Sequence, residues 1–182
     1  LEYTSGTYSG LLNIQIAEVD GDSAHELVCN LSRGFPVANE IDTFVLKGSV
    51  GYAATYNRSY IVPQGASSFN YRLNPFEVTG DNVMDLAQGE NGVTRFYSGS
   101  NGSSLGAMGG ENPYGGTGDY GPDNRPYGAR DLDGDGQLEV VDLQYQFDQS
   151  TSTYTSSFSV YSANGFSLEY TSGTYSGLLN IQ

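Results

Sequence analysis

Tryptophan is absent from the 182 residues, and cysteine and histidine occur once each. Cys29 alone excludes an intrachain disulfide, so disulfide chemistry neither staples the fold nor points to a compartment. A single thiol of this kind is ordinarily a small buried apolar residue. With His25 as the one imidazole there is no plausible nucleophile–base–acid triad, and the chain is read as a non-enzyme. Basic residues are also scarce: 7 lysines and arginines stand against 21 aspartates and glutamates, a formal net charge of −14. Nothing here neutralises phosphates, which excludes a nucleic-acid partner, and an anionic membrane surface would repel the chain. No apolar run approaches the roughly 18 residues that a membrane span requires. Leu1-Glu2-Tyr3-Thr4 lacks the form of a secretory leader, so a secreted protein would carry this sequence as a mature or internal segment.

What is abundant is glycine, with 25 residues, and tyrosine, with 15, among many serines, threonines and asparagines. Strong helix formers are few, and no stretch carries apolar residues at 3.6-residue spacing. Short β-branched and aromatic runs alternate with glycine-rich turns, which predicts an all-β protein.

The repeats come next. Residues 1–15 and 168–182 both read LEYTSGTYSGLLNIQ, identical at an offset of 167 residues. An accidentally copied segment would look the same, but the natural explanation is that 167 residues is the period of a longer array. A shorter repeat lies inside that period. Glu18-Val19-Asp20-Gly21-Asp22-Ser23-Ala24-His25-Glu26-Leu27-Val28 aligns with Asp131-Leu132-Asp133-Gly134-Asp135-Gly136-Gln137-Leu138-Glu139-Val140-Val141. Between them, Glu77-Val78-Thr79-Gly80-Asp81-Asn82-Val83-Met84-Asp85-Leu86-Ala87 is a further, degenerate copy, with spacings of 59 and 54 residues along the chain. Asn-Gly turns at Asn101-Gly102 and Asn164-Gly165, each flanked by strand-like runs, predict hairpins in phase with the acidic motifs, and Phe44–Val50 holds the same place with weaker turn chemistry. Three antiparallel meanders of about 55 residues follow, a period that means stacked units rather than an irregular domain. Cutting at the acidic motifs divides the chain into 1–17, 18–76, 77–130 and 131–182.

In the third motif Asp131, Asp133, Asp135 and Glu139 stand at positions 1, 3, 5 and 9. Their oxygens converge when the backbone curls, Gly134 and Gly136 permit the curl, and the backbone carbonyl of Gln137 adds a ligand at position 7. Hard oxygen ligands in this number suit Ca²⁺. Glu18, Asp20, Asp22, the Ala24 carbonyl and Glu26 fill the same positions in the first motif, with Glu18 in place of aspartate and Ser23 in place of glycine. His25 takes no metal role there. The second motif has Thr79 at position 3 and is expected to keep the turn but not the ion.

The pattern Asp-x-Asp-Gly-Asp-Gly-x-x-Glu-Val-Val followed by a strand resembles FG-GAP repeats, the integrin-type β-propeller repeats. The resemblance is strong at Asp131–Val141, good at Glu18–Val28 and weak at Glu77–Ala87, and through the phased hairpins it covers nearly the whole chain. It implies four-stranded blades with calcium in a hairpin loop. EF-hand-like loops share the ligand spacing but are flanked by helices, and the flanks here are β-type.

Three units are too few to close a propeller. The expected assembly is therefore an open or tandem array, or a six-bladed ring made from two periods. Open ends favour head-to-tail self-association into a filament. The reading that results is a structural subunit of an extracellular, calcium-stabilised fibre, and the alternative is a carbohydrate- or protein-binding adhesion module. Sequons at Asn30, Asn57 and Asn101 are candidate glycan sites in a eukaryotic protein, with Asn57 and Asn101 in predicted turns. Residues 109–128, rich in glycine and proline, are expected to form no regular element. They are either a surface excursion or a contact with a neighbour through Tyr114, Tyr120 and Tyr127.

Overall fold

The computed structural model describes residues 7, 10–33, 40–61, 73–90, 93–109, 125–148 and 150–177. Among the described residues there is no α-helix, only a single 3-10 turn at Gly48–Val50. The strands form three open antiparallel sheets. Sheet 1 runs in order β1 (Leu11–Ala17), β2 (Glu26–Arg33), β3 (Glu40–Lys47), β4 (Ala53–Ile61). Sheet 2 has β5 (Leu73–Pro75), β6 (Leu86–Glu90), β7 (Val93–Tyr97) and β8 (Ser104–Met108), again side by side in chain order. Sheet 3 has β9 (Arg125–Arg130), β10 (Glu139–Asp148), β11 (Thr153–Ser162) and β12 (Leu168–Thr171), with the short β13 (Tyr175–Ser176) also on β11. The expected all-β class therefore holds.

The three sheets share one register. Leu27 pairs with Leu46, Leu86 with Tyr97, and Val140 with Tyr161. An irregularity falls at the matching place between third and fourth strands, at Val45/Leu46, Phe96/Tyr97 and Val160/Tyr161. Such bulges turn the strand and strengthen its twist. Each acidic motif is the turn of its sheet's first hairpin, between β1 and β2, β5 and β6, and β9 and β10. The cuts at 17/18, 76/77 and 130/131 thus fall inside these hairpins, and sheet membership runs 11–61, 73–108 and 125–176. The motif is the most legible feature of each unit, but the strand before it pairs with the strand after it.

Strand alternation puts one side of each sheet against the next sheet. Val28 and Val45 of sheet 1 meet Leu73, Leu86 and Tyr97 of sheet 2. Ala87 and Phe96, from the other side of sheet 2, meet Ala129, Val140 and Tyr161 of sheet 3. Phe166 stacks on Phe96 at 4.6 Å and 2° between planes. Truncating a side chain as buried as Leu86 to alanine costs about 2–5 kcal/mol, so these seams carry much of the stability.

Polar ties cross the first seam. Buried Asn30 donates from Nδ2 to Leu73 O at 2.8 Å and accepts from Leu73 N at 3.0 Å and Thr43 Oγ1 at 2.7 Å. The Arg58 guanidinium lies 4.1 Å from the Tyr97 ring centroid. Met84 N donates to Glu18 O at 2.8 Å, joining the first two acidic loops. Gly99 sits where this happens: a Cβ there would meet Met84 O at 2.2 Å and Val19 O at 2.7 Å, so only glycine fits.

The expectation that 109–128 holds no regular element fails at its end, because β9 begins at Arg125. Pro126 is tolerated because β9 is the edge of sheet 3, where a missing N–H breaks no ladder, and the register shifts beside it at Val141/Asp142. Tyr114 and Tyr120 lie outside the described residues, as do residues 178–182.

Candidate metal centre

All three acidic loops have one internal architecture. The first acid takes backbone N–H groups inside the turn: Asp131 Oδ1 accepts from Gly134 N at 2.6 Å, Glu18 Oε1 from Gly21 N at 2.6 Å, and Glu77 Oε1 from Gly80 N at 2.8 Å. The position-5 aspartate accepts from position 7: Gln137 N on Asp135 at 2.8 Å, Ala24 N on Asp22 at 2.9 Å, Val83 N on Asp81 at 2.8 Å. The last acid, at or just before the second strand, reaches back seven residues. Glu139 Oε2 accepts from Leu132 N at 2.6 Å, Glu26 Oε2 from Val19 N at 3.0 Å, and Asp85 Oδ2 from Val78 N at 3.3 Å. Positions 4 and 6 are left-handed in every loop. Gly134 and Gly136 have φ 85° and 87°, while Ser23 and Asn82 adopt φ 68° and 66° at position 6. The curl inferred from the glycine spacing is present.

The loops differ in what they bring together. In the third, carboxylate oxygens of Asp131, Asp133 and Glu139 lie within 4.8 Å of one another. Asp135 is outside that group, and its two oxygens hold the backbone and side-chain amides of Gln137. In the first, Glu18, Asp20 and Asp22 converge likewise. Glu26 is outside that group: it is buried, with Oε2 on Val19 N and Oε1 without a partner. Burial pushes the Glu26 carboxyl above its ordinary value, and Asp20, Asp22 and Glu18 add to the effect. The second loop makes no such three-acid group among the described residues. Two acidic clusters of hard oxygen donors are thus of a kind that can hold a metal ion, with the donor chemistry of calcium or magnesium rather than of a soft transition metal.

Sequence reasoning missed Lys47. From the end of β3, its Nζ pairs with Asp20 Oδ2 and lies 2.9 Å from Asp22 Oδ2. The hydrogen bonds to Asp20 and Asp22 hold the ammonium above its ordinary pKa, and the same lysine holds Asp22 below its own. Lys47 is 27 residues from Asp20, and only the β2–β3 register brings it to the loop.

The three sequons separate cleanly. Asn101 is exposed in its turn, and Asn57 is exposed but lies within β4 rather than in a turn. Asn30 is buried with its amide engaged, which closes that sequon to a glycan in the folded protein. Cys29 is buried, as its apolar reading required. A groove of about 460 Å³ lies on the outer side of sheet 1, between Leu31, Phe44, Leu46, Asp42 and Asn57. No protein-family model matches the chain, and no curated protein or solved structure does.

Proposed function

We propose that this chain is a structural, non-enzymatic unit of an extracellular, calcium-stabilised repeat array, with each sheet a blade of the FG-GAP, integrin-type kind. Copies join head to tail. The observation that carries this is a set of positions with one register and opposite burial. Val19 and Val78, at position 2 of the first two loops, are 1% and 4% exposed between sheets, while Leu132 at the same position of the third is 57% exposed. At the other end, Ile14 is 51% exposed, while its counterpart Leu73 in sheet 2 is 0% exposed. Ile16 and Tyr170 are likewise exposed on the two outer sides. Each end of the stack therefore offers the apolar side that an inner sheet buries.

The sequence says what fits there. Residues 178–182, which follow sheet 3, repeat Leu11–Gln15 of β1, so the neighbour that the chain specifies after sheet 3 begins as sheet 1 begins. A second copy meets this requirement, and the contact is heterologous, joining unlike sides. Calcium is assigned to Asp131, Asp133 and Glu139. Asn57 and Asn101 are the sequons open to glycans.

Sedimentation in calcium tests the assembly. Wild type should associate with concentration, whereas Ile16→Lys and Tyr170→Lys should each block one end. Mixing the two variants should give only a 1:1 dimer. Micrographs of wild type then distinguish filaments from closed rings of two copies. A wild type that stays monomeric at high concentration in calcium would refute head-to-tail stacking. It would favour the second reading, an adhesion module binding carbohydrate or protein, for which the groove on sheet 1 is the supporting feature.

A further inference from the structure

We infer that Lys47 is the resident cation of the first acidic loop and keeps divalent ions out of it, which leaves the loop at Asp131–Glu139 as the calcium site of the native chain. The second half of this statement rests on the calcium reading above, and the first half does not.

Val140 pairs with Tyr161 and Glu139 with Ser162, so Ser162 stands opposite the last acid of the third loop. One step beyond Leu86–Tyr97 and Leu27–Leu46, the same position is held by Ser98 in sheet 2 and Lys47 in sheet 1. Ser98 and Ser162 turn their hydroxyls to their own hairpins, Ser98 to Ser100 Oγ at 2.8 Å and Ser162 to Asn164 N at 3.3 Å. Lys47 instead reaches Asp20 and Asp22. Three equivalent loops thus deal with their negative charge in three ways. The first has a lysine, the second has Thr79 where an acid would stand, and the third has converging acids and only a serine opposite.

Lys47 and a divalent ion would compete for the same two aspartates. The lysine is tethered, so its effective concentration at the loop is on the order of millimolar or higher, and it never diffuses away. A second cation beside it also meets like-charge repulsion. The loop nevertheless retains what an ion needs. Glu18, Asp20 and Asp22 converge, and Glu26, outside that group but within their electrostatic reach, is buried with Oε1 without a partner. Removing the lysine should therefore open a site rather than merely loosen a turn.

Calcium titration calorimetry on the full chain tests this, with wild type, Lys47→Ser and Ser162→Lys compared. Serine is the residue that sheets 2 and 3 already carry at this position, and circular dichroism verifies the fold of each variant. Wild type should bind one calcium and Lys47→Ser two, with first-loop affinity raised about tenfold or more, as expected for removal of an adjacent like charge. Ser162→Lys should lose the site in the third loop. If wild type binds none and Lys47→Ser binds one, the inference stands while the calcium assignment at Asp131–Glu139 falls. Two sites matched within about threefold in wild type, or a Lys47→Ser chain with unchanged number and affinity of sites, would overturn it.

Discussion

Asp133→Asn should stabilise the protein without calcium and destabilise it with calcium. Asparagine keeps the oxygen that accepts from Asp135 N at 3.0 Å, so the turn survives the change. What changes is charge. The oxygens of Asp131, Asp133 and Glu139 lie within 4.8 Å of one another, and at that distance two unit charges repel by about 0.9 kcal/mol even at the dielectric of bulk water. Neutralising Asp133 removes two of the three repulsions; with solvent screening at these exposed aspartates, the metal-free variant should gain about 1 kcal/mol. For a chain of this size that is roughly 2–4 °C in Tm.

With calcium the sign reverses. An ion that binds only the folded state stabilises by about 2.7 kcal/mol at a hundredfold excess over Kd and about 4.1 kcal/mol at a thousandfold excess. The variant forfeits most of this, because it offers the ion one negative charge and one anionic oxygen fewer. Thermal denaturation followed by circular dichroism, once in chelator and once in millimolar calcium, gives both orders directly. A variant less stable than wild type in both buffers would show that Asp133 acts through the turn and not through charge. Curves indifferent to calcium in both proteins would dispose of the metal site.

Ser23→Gly should raise stability by about 1 kcal/mol, because Ser23 holds φ 68° at a position where the third loop has Gly136; an unchanged or lower urea midpoint would contradict this. Asp85→Asn should flatten the pH dependence of stability. Burial pushes the Asp85 carboxyl above its ordinary 3.8, so its contribution is full below that pH and is lost as pH rises through the elevated value. The variant should therefore gain on wild type between about pH 4 and about pH 7 in urea titrations, and a constant difference across that range would refute the assignment.

The loops were legible because their chemistry is local. Asp131, Gly134 and Gly136 announce a curl within a few residues, and Asn101-Gly102 and Asn164-Gly165 announce two hairpins. Their spacing also announced three antiparallel meanders, and the described strands form three antiparallel sheets. Contacts set by strand pairing were not legible. Lys47 reaches Asp20 only through the β2–β3 register, and nothing in its neighbours Leu46 and Gly48 marks it. Asn30 stands on a predicted strand, where a glycan fits only if the side chain faces out; alternation alone does not say which side of a strand faces another sheet, and the side it occupies meets Leu73. Pro126 hid β9, since a proline is permitted in a sheet only at an edge, and edges are not visible in sequence.

The acidic loops and the seams between sheets are joined by one recurring hydrogen bond. The last acid of each loop accepts from the N–H of position 2, and position 2 is the apolar residue that packs toward the following sheet in the first two cases. Glu26 thus fixes Val19, Asp85 fixes Val78, and Glu139 fixes Leu132. The exposed Leu132 is thus held by a member of the acidic cluster Asp131, Asp133 and Glu139. An ion that draws on Glu139 acts one hydrogen bond away from the side chain that would meet the next copy. Any coupling between the two is reciprocal, so if calcium strengthens association, association must strengthen calcium binding by the same factor. On this account the ion does more than offset the repulsion of three carboxylates. On the proposed reading it would also order the loop that a neighbouring sheet meets.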